Sequence, residues 1–185
     1  MVAPWTKVHT AHLHDYRIFK TSRVKVRAPS FTGEHDMVVI DSPDWVNIIA
    51  LTPQNEVVCI RQYRVGLDQV TLEIPGGLVD PGEAALAAAQ RELQEETGYK
   101  SDSWHSLGKI SPNPAIQNNF CHTYLAMDCV DTGTVQLDEH EDIDIELIAF
   151  SSIHDYFRDG RINHALVSVA FHKYHLFLQA ELGKK

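Results

Sequence analysis

Residues 74–99 read Ile74-Pro75-Gly76-Gly77-Leu78-Val79-Asp80-Pro81-Gly82-Glu83-Ala84-Ala85-Leu86-Ala87-Ala88-Ala89-Gln90-Arg91-Glu92-Leu93-Gln94-Glu95-Glu96-Thr97-Gly98-Tyr99. The later part predicts one helix, from Pro81 to Thr97. Asp80 serves as N-cap, Pro81 suits the first helical position, and Glu83 stands at capping-box spacing from Asp80. Gly98 follows as a natural left-handed C-terminal residue. Leu86, Ala89, Leu93 and Thr97 share a face that can pack on a sheet, and the intervening alanines favour the helix. At about 100° per residue, Glu92, Glu95 and Glu96 fall in a different sector from Leu93. Glu92 and Glu96 repel as an i,i+4 pair, by roughly 0.2–0.5 kcal/mol. All three lie near the helix C-terminus, where the macrodipole disfavours each negative charge by about 0.3–1 kcal/mol. Local energetics count against this cluster twice, and only Arg91 offers nearby relief. For an ordinary acidic pair the plain reading is a solvated face.

The glycines ahead of the helix shift that balance. They follow a strand, let the backbone approach a ligand closely and expose carbonyls to it. A backbone carbonyl with hard carboxylate oxygens on a rigid helix is a donor set for Mg²⁺, with Mn²⁺ an alternative. Such an ion removes the repulsion and makes a local positive site, for which a diphosphate is the natural guest.

Outward from this stretch, alternating and β-branched runs predict strands over 16–27, 37–40, 46–51, 57–63 and 70–74, then 104–110, 122–128 and 145–150. Residues 152–157 read as a short helix and 164–182 as a longer one. The expected class is α+β, with helices on a mixed sheet. The strand group up to about Asp41 is expected to form a subdomain or a dimer contact.

The chain has 185 residues, 44% hydrophobic, with 16 basic against 25 acidic side chains and a net charge of −9. That balance argues against a nucleic-acid-binding surface, which needs a basic face. Cys59, Cys121 and Cys129 lack CxxC spacing and read as buried hydrophobes in a reducing compartment. The first twenty residues lack a signal-peptide core and no long apolar run predicts a membrane span, so the expectation is a cytoplasmic protein. Eleven histidines match no HExxH or paired zinc pattern.

Gly77-x5-Glu83-x7-Arg91-Glu92-Leu93-x-Glu95-Glu96-x-Gly98-Tyr99 resembles the Nudix box, Gx5Ex7REUxEExGU, at every fixed position. Tyr99 departs from the bulky aliphatic residue that the pattern asks for at its end. The resemblance implies a Nudix-like α/β/α sandwich with a mixed sheet. Residues 1–41 would form an N-terminal antiparallel strand extension and 42–185 the Nudix hydrolase domain. Pro114, fifteen residues past the box, resembles a marker of the branch acting on ADP-ribose and related nucleotide sugars. The activity so implied is Mg²⁺-dependent hydrolysis of the pyrophosphate bond of ADP-ribose, GDP-mannose or similar compounds. NADH, dinucleoside polyphosphates or a non-catalytic ADP-ribose sensor are the alternatives, and a homodimer is implied as well.

Carried over by resemblance, Glu92, Glu95 and Glu96 are metal ligands with the Gly76 carbonyl as a fourth, while Arg91 orients a helix glutamate. Glu83 reads as a helix cap in preference to a water-bridged metal contact. The base that activates water is expected in the acidic stretch 137–146, Glu141 first and Glu139 second, with helix glutamates such as Glu96 as the other source. For the substrate, Arg61 and Arg64 are candidates; three apart on a strand they face opposite sides unless a bulge intervenes. Arg64 is the choice for the diphosphate, since guanidinium matches phosphate geometry, with Glu73 bracing it or bonding the nucleotide. Leu78, Pro114 and Asn118 complete the expected substrate contacts, with Gln117 and Asn119 beside Asn118 as neutral sugar-bonding residues.

Overall fold

The computed structural model describes residues 2–137 and 142–183. Its contacts divide the chain into two compact units, Met1–Pro43 with Ser111–Phe120, and Asp44–Ile110 with Cys121–Lys185.

In the first unit, β1 (Thr6–Asp15), β2 (Lys20–Arg27) and β3 (His35–Asp41) form an antiparallel sheet with β2 in the middle. Ser22, Val24 and Val26 alternate along β2 as its buried face. The single strand expected over 16–27 is corrected here. Arg17 has φ 70, and the Tyr16 N–H donates to Phe19 O at 2.9 Å, so the chain turns and pairs back on β1. No strand was expected at β1, whose residues are nearly all exposed and carry no apolar alternation. The segment Ser111–Phe120 joins this unit through Ile40 N–H to Ile116 O, 2.7 Å, and Asn118 Nδ2 to Asp41 Oδ1, 2.7 Å.

In the second unit, β4 (Trp45–Ala50) runs parallel to β9 (Cys121–Met127), which pairs antiparallel with β8 (Ser103–Ile110). β5 (Glu56–Arg64) lies between β6 (Gln69–Glu73) and β11 (Ile143–Ala149), antiparallel to both. The short strands β7 (Tyr99–Lys100) and β10 (Val130–Asp131) pair with each other. Helices α1 (Ala85–Thr97), α2 (Ile153–Arg158) and α3 (Ala165–Leu182) complete the unit.

Strand alternation sorts the core into two layers. Val46, Ile48 and Ala50 of β4 join Ala88, Ala89 and Leu93 of α1 in one cluster. Ile49 and Leu51 join Val167, Ala170 and Tyr174 of α3 in the other. The strands are therefore sandwiched between helices, the mixed α/β/α arrangement expected. Cys59, Cys121 and Cys129 are all buried, and burial pushes each thiol up to about 12. Among the described residues no helix is long and apolar enough to cross a membrane.

The helix start also needs correction. α1 begins at Ala85, not Pro81. Asp80–Glu83 is instead a turn, with Glu83 N–H bonded to Asp80 O at 3.0 Å and Gly82 at φ 85, a backbone that no helix accepts. Half of the capping box survives in that turn, since Glu83 Oε2 accepts the Asp80 N–H at 3.1 Å. At the other end, Gly98 has φ 73 and its N–H bonds Gln94 O at 2.8 Å, as expected. Leu86, expected in the core, lies in the first turn and remains 38% exposed.

Candidate active site

Beyond β6 the chain crosses beside β4 as Ile74-Pro75-Gly76-Gly77. The amides of Ile48 and Val46 bond the carbonyls of Pro75 and Gly77, each at 2.9 Å, so the loop pairs like an added strand. Neither glycine adopts a positive φ; what they supply is room. A Cβ on Gly76 would stand 2.2 Å from Val46 O, and one on Gly77 would stand 2.3 Å from Glu92 Oε1. The place a side chain would need is thus taken, by β4 backbone at Gly76 and by a helix carboxylate at Gly77. The Gly76 N–H points the other way and donates to Glu96 Oε2 at 2.9 Å.

Two of the box glutamates are buried against this loop. Glu92 is 8% exposed and Glu96 only 3%. Arg91 supplies the relief that the helix itself lacks. Its Nη1 donates to Glu92 Oε1 at 2.9 Å and Glu95 Oε2 at 3.0 Å, its Nε and Nη2 grip Glu83, and Nη2 reaches Leu78 O at 3.0 Å. Hydrogen bonding to Glu83 is the largest effect raising the Arg91 pKa, ahead of Glu95 and Glu92 and against burial. In return, Arg91 holds the Glu83 carboxyl below its ordinary range, helped by the Asp80 amide.

The donor chemistry fits a hard divalent ion. Carboxylate oxygens of Glu92 and Glu96 meet the glycine loop on a rigid helix, and the hollow left by the missing Gly77 side chain is occupied by Glu92 itself. Among the described residues, no three His, Cys, Asp or Glu side chains gather into a metal-holding group. In this state the box carboxylates answer to Arg91 and to the Gly76 amide.

Both candidate arginines sit on β5, whose pairings to β6 and β11 have no bulge, so the pleat turns them to opposite faces. Arg61 Nε donates to Glu146 Oε2 on β11 at 2.6 Å. Arg64 grips Glu73 with both Nε and Nη2, each at 2.8 Å, and Thr71 Oγ1 adds a third bond at 2.6 Å. Burial pushes the Glu73 carboxyl up, but these bonds outweigh it and hold the group below its usual range. Glu73 thus braces Arg64 in the folded chain.

A NUDIX domain family model matches residues 42–167. The chain belongs to the NUDIX family. Its box lies where the geometry above is built, and the chain is a Nudix hydrolase. It is 30% identical over 148 residues to the methanol dehydrogenase activator of Bacillus methanolicus, covering 80% of this chain and 79% of that one. It is 29% identical over 108 residues to the ADP-ribose pyrophosphatase of Bacillus subtilis, a match spanning 58% of each. A crystal structure of an ADP compounds hydrolase superposes with a TM-score of 0.85 at 23% identity, covering 98% of this chain and 97% of that one, which shows the shared fold.

The other expected contacts of this Nudix hydrolase are distributed between the units. Leu78 stands in the second unit, bridged to Trp45 and 37% exposed. Pro114 and Asn118 belong to the first unit, where Asn118 bonds Asp41. Glu139 and Glu141 lie outside the described residues. Two side chains that the sequence reading passed over emerge here, Asn47 and His164. Asn47 Nδ2 donates to Leu166 O at 3.2 Å and so fixes the first turn of α3 to β4. Its Oδ1 would stand 3.2 Å from a Gly76 Cβ, which puts that turn beside the loop. His164 stands at the N-cap position of α3 without a side-chain capping bond, its Nε2 3.9 Å from Glu73 Oε2. No motif links residue 164 to residue 73, so only the fold brings them together.

Proposed function

We propose that the chain hydrolyses the pyrophosphate bond of nucleoside diphosphate sugars, with ADP-ribose first and GDP-mannose as a second candidate. The products are a nucleoside monophosphate and a sugar phosphate. The observation that carries this reading is the burial of Glu92 and Glu96 on one helix against the glycine loop, with Arg91 bonded to Glu92 and the Gly76 amide to Glu96. Likeness to the Bacillus subtilis ADP-ribose pyrophosphatase supports the choice of substrate.

In this reading Glu92, Glu95 and Glu96, with the Gly76 carbonyl, hold Mg²⁺. A bound ion of this kind neutralises diphosphate charge and supplies Lewis acidity at the phosphoryl oxygens. Glu141 or Glu139 takes the proton of the attacking water, Glu96 being the other source of a base, and the phosphorus–oxygen bond to the leaving phosphate breaks. Arg64 meets the diphosphate; Arg61, on the opposite face of β5 and bonded to Glu146, is the structural one of the pair; and Leu78, Pro114 and Asn118 line the nucleotide or sugar.

The division into a strand extension over 1–41 and a hydrolase domain over 42–185 belongs to the same reading, as does a cytoplasmic home. A homodimer joined through the N-terminal strands has support from large apolar side chains left exposed there, Trp5, Val8, Met37 and Val38.

The test is a panel of ADP-ribose, GDP-mannose, NADH and a dinucleoside polyphosphate with Mg²⁺, following monophosphate release by wild type, Glu96→Gln and Glu92→Gln. Wild-type turnover of a nucleotide sugar, abolished by EDTA and by both substitutions, is expected. Absence of turnover on every nucleotide sugar would overturn the reading. Separately, Glu141→Gln or Glu139→Gln should lower kcat by about 10²–10⁴-fold if either is the base; near-normal kcat in both removes that assignment.

A further inference from the structure

Glu73 is 4% exposed and charged, and a buried carboxylate of that kind is strongly disfavoured once its partner leaves. Yet the proposed function asks Arg64, which grips Glu73 through two bonds, to serve the diphosphate of the substrate as well. The bonds to Glu73 use the Nε–Nη2 edge of the guanidinium and leave other N–H donors on it. If the diphosphate takes that same edge, Glu73 loses both bonds and needs another donor.

His164 stands in position for this. The oxygen that accepts Arg64 Nη2 at 2.8 Å, Glu73 Oε2, is the one facing His164 Nε2 at 3.9 Å. That separation is beyond a hydrogen bond, and closing it needs a shift of about 1 Å. His164 also has unfinished bonding, since its Nδ1 is buried with no partner among the described residues. Nε2 is the ring nitrogen that faces the carboxylate, so an N–H there is the donor that Glu73 can receive. The imidazole is held in place by its backbone. The His164 carbonyl accepts the Ser168 amide at 3.0 Å in the first turn of α3, and Asn47 ties that turn to β4. The other Glu73 oxygen is occupied by Thr71 Oγ1 and Arg64 Nε, so Oε2 is where an exchange takes place.

We propose that His164 is a positioning residue that exchanges with Arg64 on Glu73. When Arg64 turns to the diphosphate, His164 Nε2–H donates to Glu73 Oε2 in place of Nη2, and the buried carboxylate never stands unpaired. No proton changes owner in this swap; one donor replaces another. The inference rests on the reading that Arg64 meets the diphosphate.

Steady-state kinetics on ADP-ribose with Mg²⁺ test it in wild type, His164→Phe, His164→Gln, Arg64→Ala and the His164→Phe/Arg64→Ala double variant. His164→Phe should raise KM about tenfold, the order expected for one hydrogen bond to a charged group, with kcat within about twofold. His164→Gln, whose amide still donates, should recover most of that loss. In the Arg64→Ala background His164→Phe should change KM by less than about twofold, because no exchange remains. A wild-type KM in His164→Phe, or the same KM increase in both backgrounds, overturns the inference.

A second measurement needs no turnover. Imidazole ¹⁵N spectra of the wild-type protein with Mg²⁺ and inorganic pyrophosphate should show the His164 Nε2 resonance moving towards the hydrogen-bonded range. An unmoved resonance overturns the exchange. Failure of the nucleotide-sugar panel alone removes the substrate, and the pyrophosphate spectrum still decides the role of His164.

Discussion

Arg91 gathers with one guanidinium three carboxylates, those of Glu92 and Glu95 on the helix and that of Glu83 in the turn before it. Arg91→Ala would leave Glu92 buried without that donor. Its side chain is 30% exposed, so the expected cost is below the full buried-pair penalty, about 2 kcal/mol, read as a lower urea midpoint at unchanged m-value. Activity should fall further than stability, since the same residue orients the proposed ligands. Glu73 makes a pH-dependent contribution of defined sign. Its folded pKa lies below the unfolded value of about 4.3, so its stabilisation is complete above that pH and is lost as pH falls through the folded value. Glu73→Gln should therefore unfold with a weaker pH dependence than wild type between about pH 5 and 3. At this scale the sequence was readable where spacing carries chemistry, as in the box from Gly77 to Glu96. It was silent on His164 and Asn47, whose partners lie far away along the chain. The burial of Glu92 and Glu96 was legible only in part. By helical angle both lie on one side of Leu93, roughly 60° and 100° from it, and the glycine loop extends the covered arc over them.

The glycine loop separates two requirements that the sequence presents as one. Gly76→Ala drives a methyl group into the Val46 carbonyl, which is backbone and cannot yield, so a loss of about 1–3 kcal/mol or more is expected on thermal or urea unfolding. Gly77→Ala first meets the carboxylate end of the Glu92 side chain. It should cost less stability than Gly76→Ala but displace Glu92, reducing turnover and Mg²⁺ affinity together. Equal destabilisation by the two would refute this division. Element boundaries show where local signals mislead. Asp80-Pro81-Gly82-Glu83 contains a cap, an N-terminal proline and a capping-box glutamate, yet the positive φ of Gly82 makes it a turn. The core strands were readable because Val57, Val58 and Ile60 are fully buried apolar residues in one run. β1 was not, because its side chains look outwards and a strand held by its ladder alone leaves no hydrophobic period.

At the scale of the whole molecule, the net charge of −9 is not spread as a uniform surface. Part of it is gathered with Arg91 and Arg64 around the glycine loop, where the proposed metal ion and diphosphate would meet. Deletion of residues 2–43 should lower stability and expose the residues at 111–120, detected as faster amide exchange there, because Ile116 loses Ile40 and Asn118 loses Asp41. That prediction follows from how the first unit is assembled. Its strands come from the start of the chain, but its last piece, Ser111–Phe120, is contributed from between β8 and β9. The first unit is thus no detachable cassette. Gene fusion, domain shuffling or a simple swap of N-termini between relatives would import its strands and leave its last segment behind. Any drift in one must be matched by compensating change in the other, so specificity built on both would be inherited as a single trait.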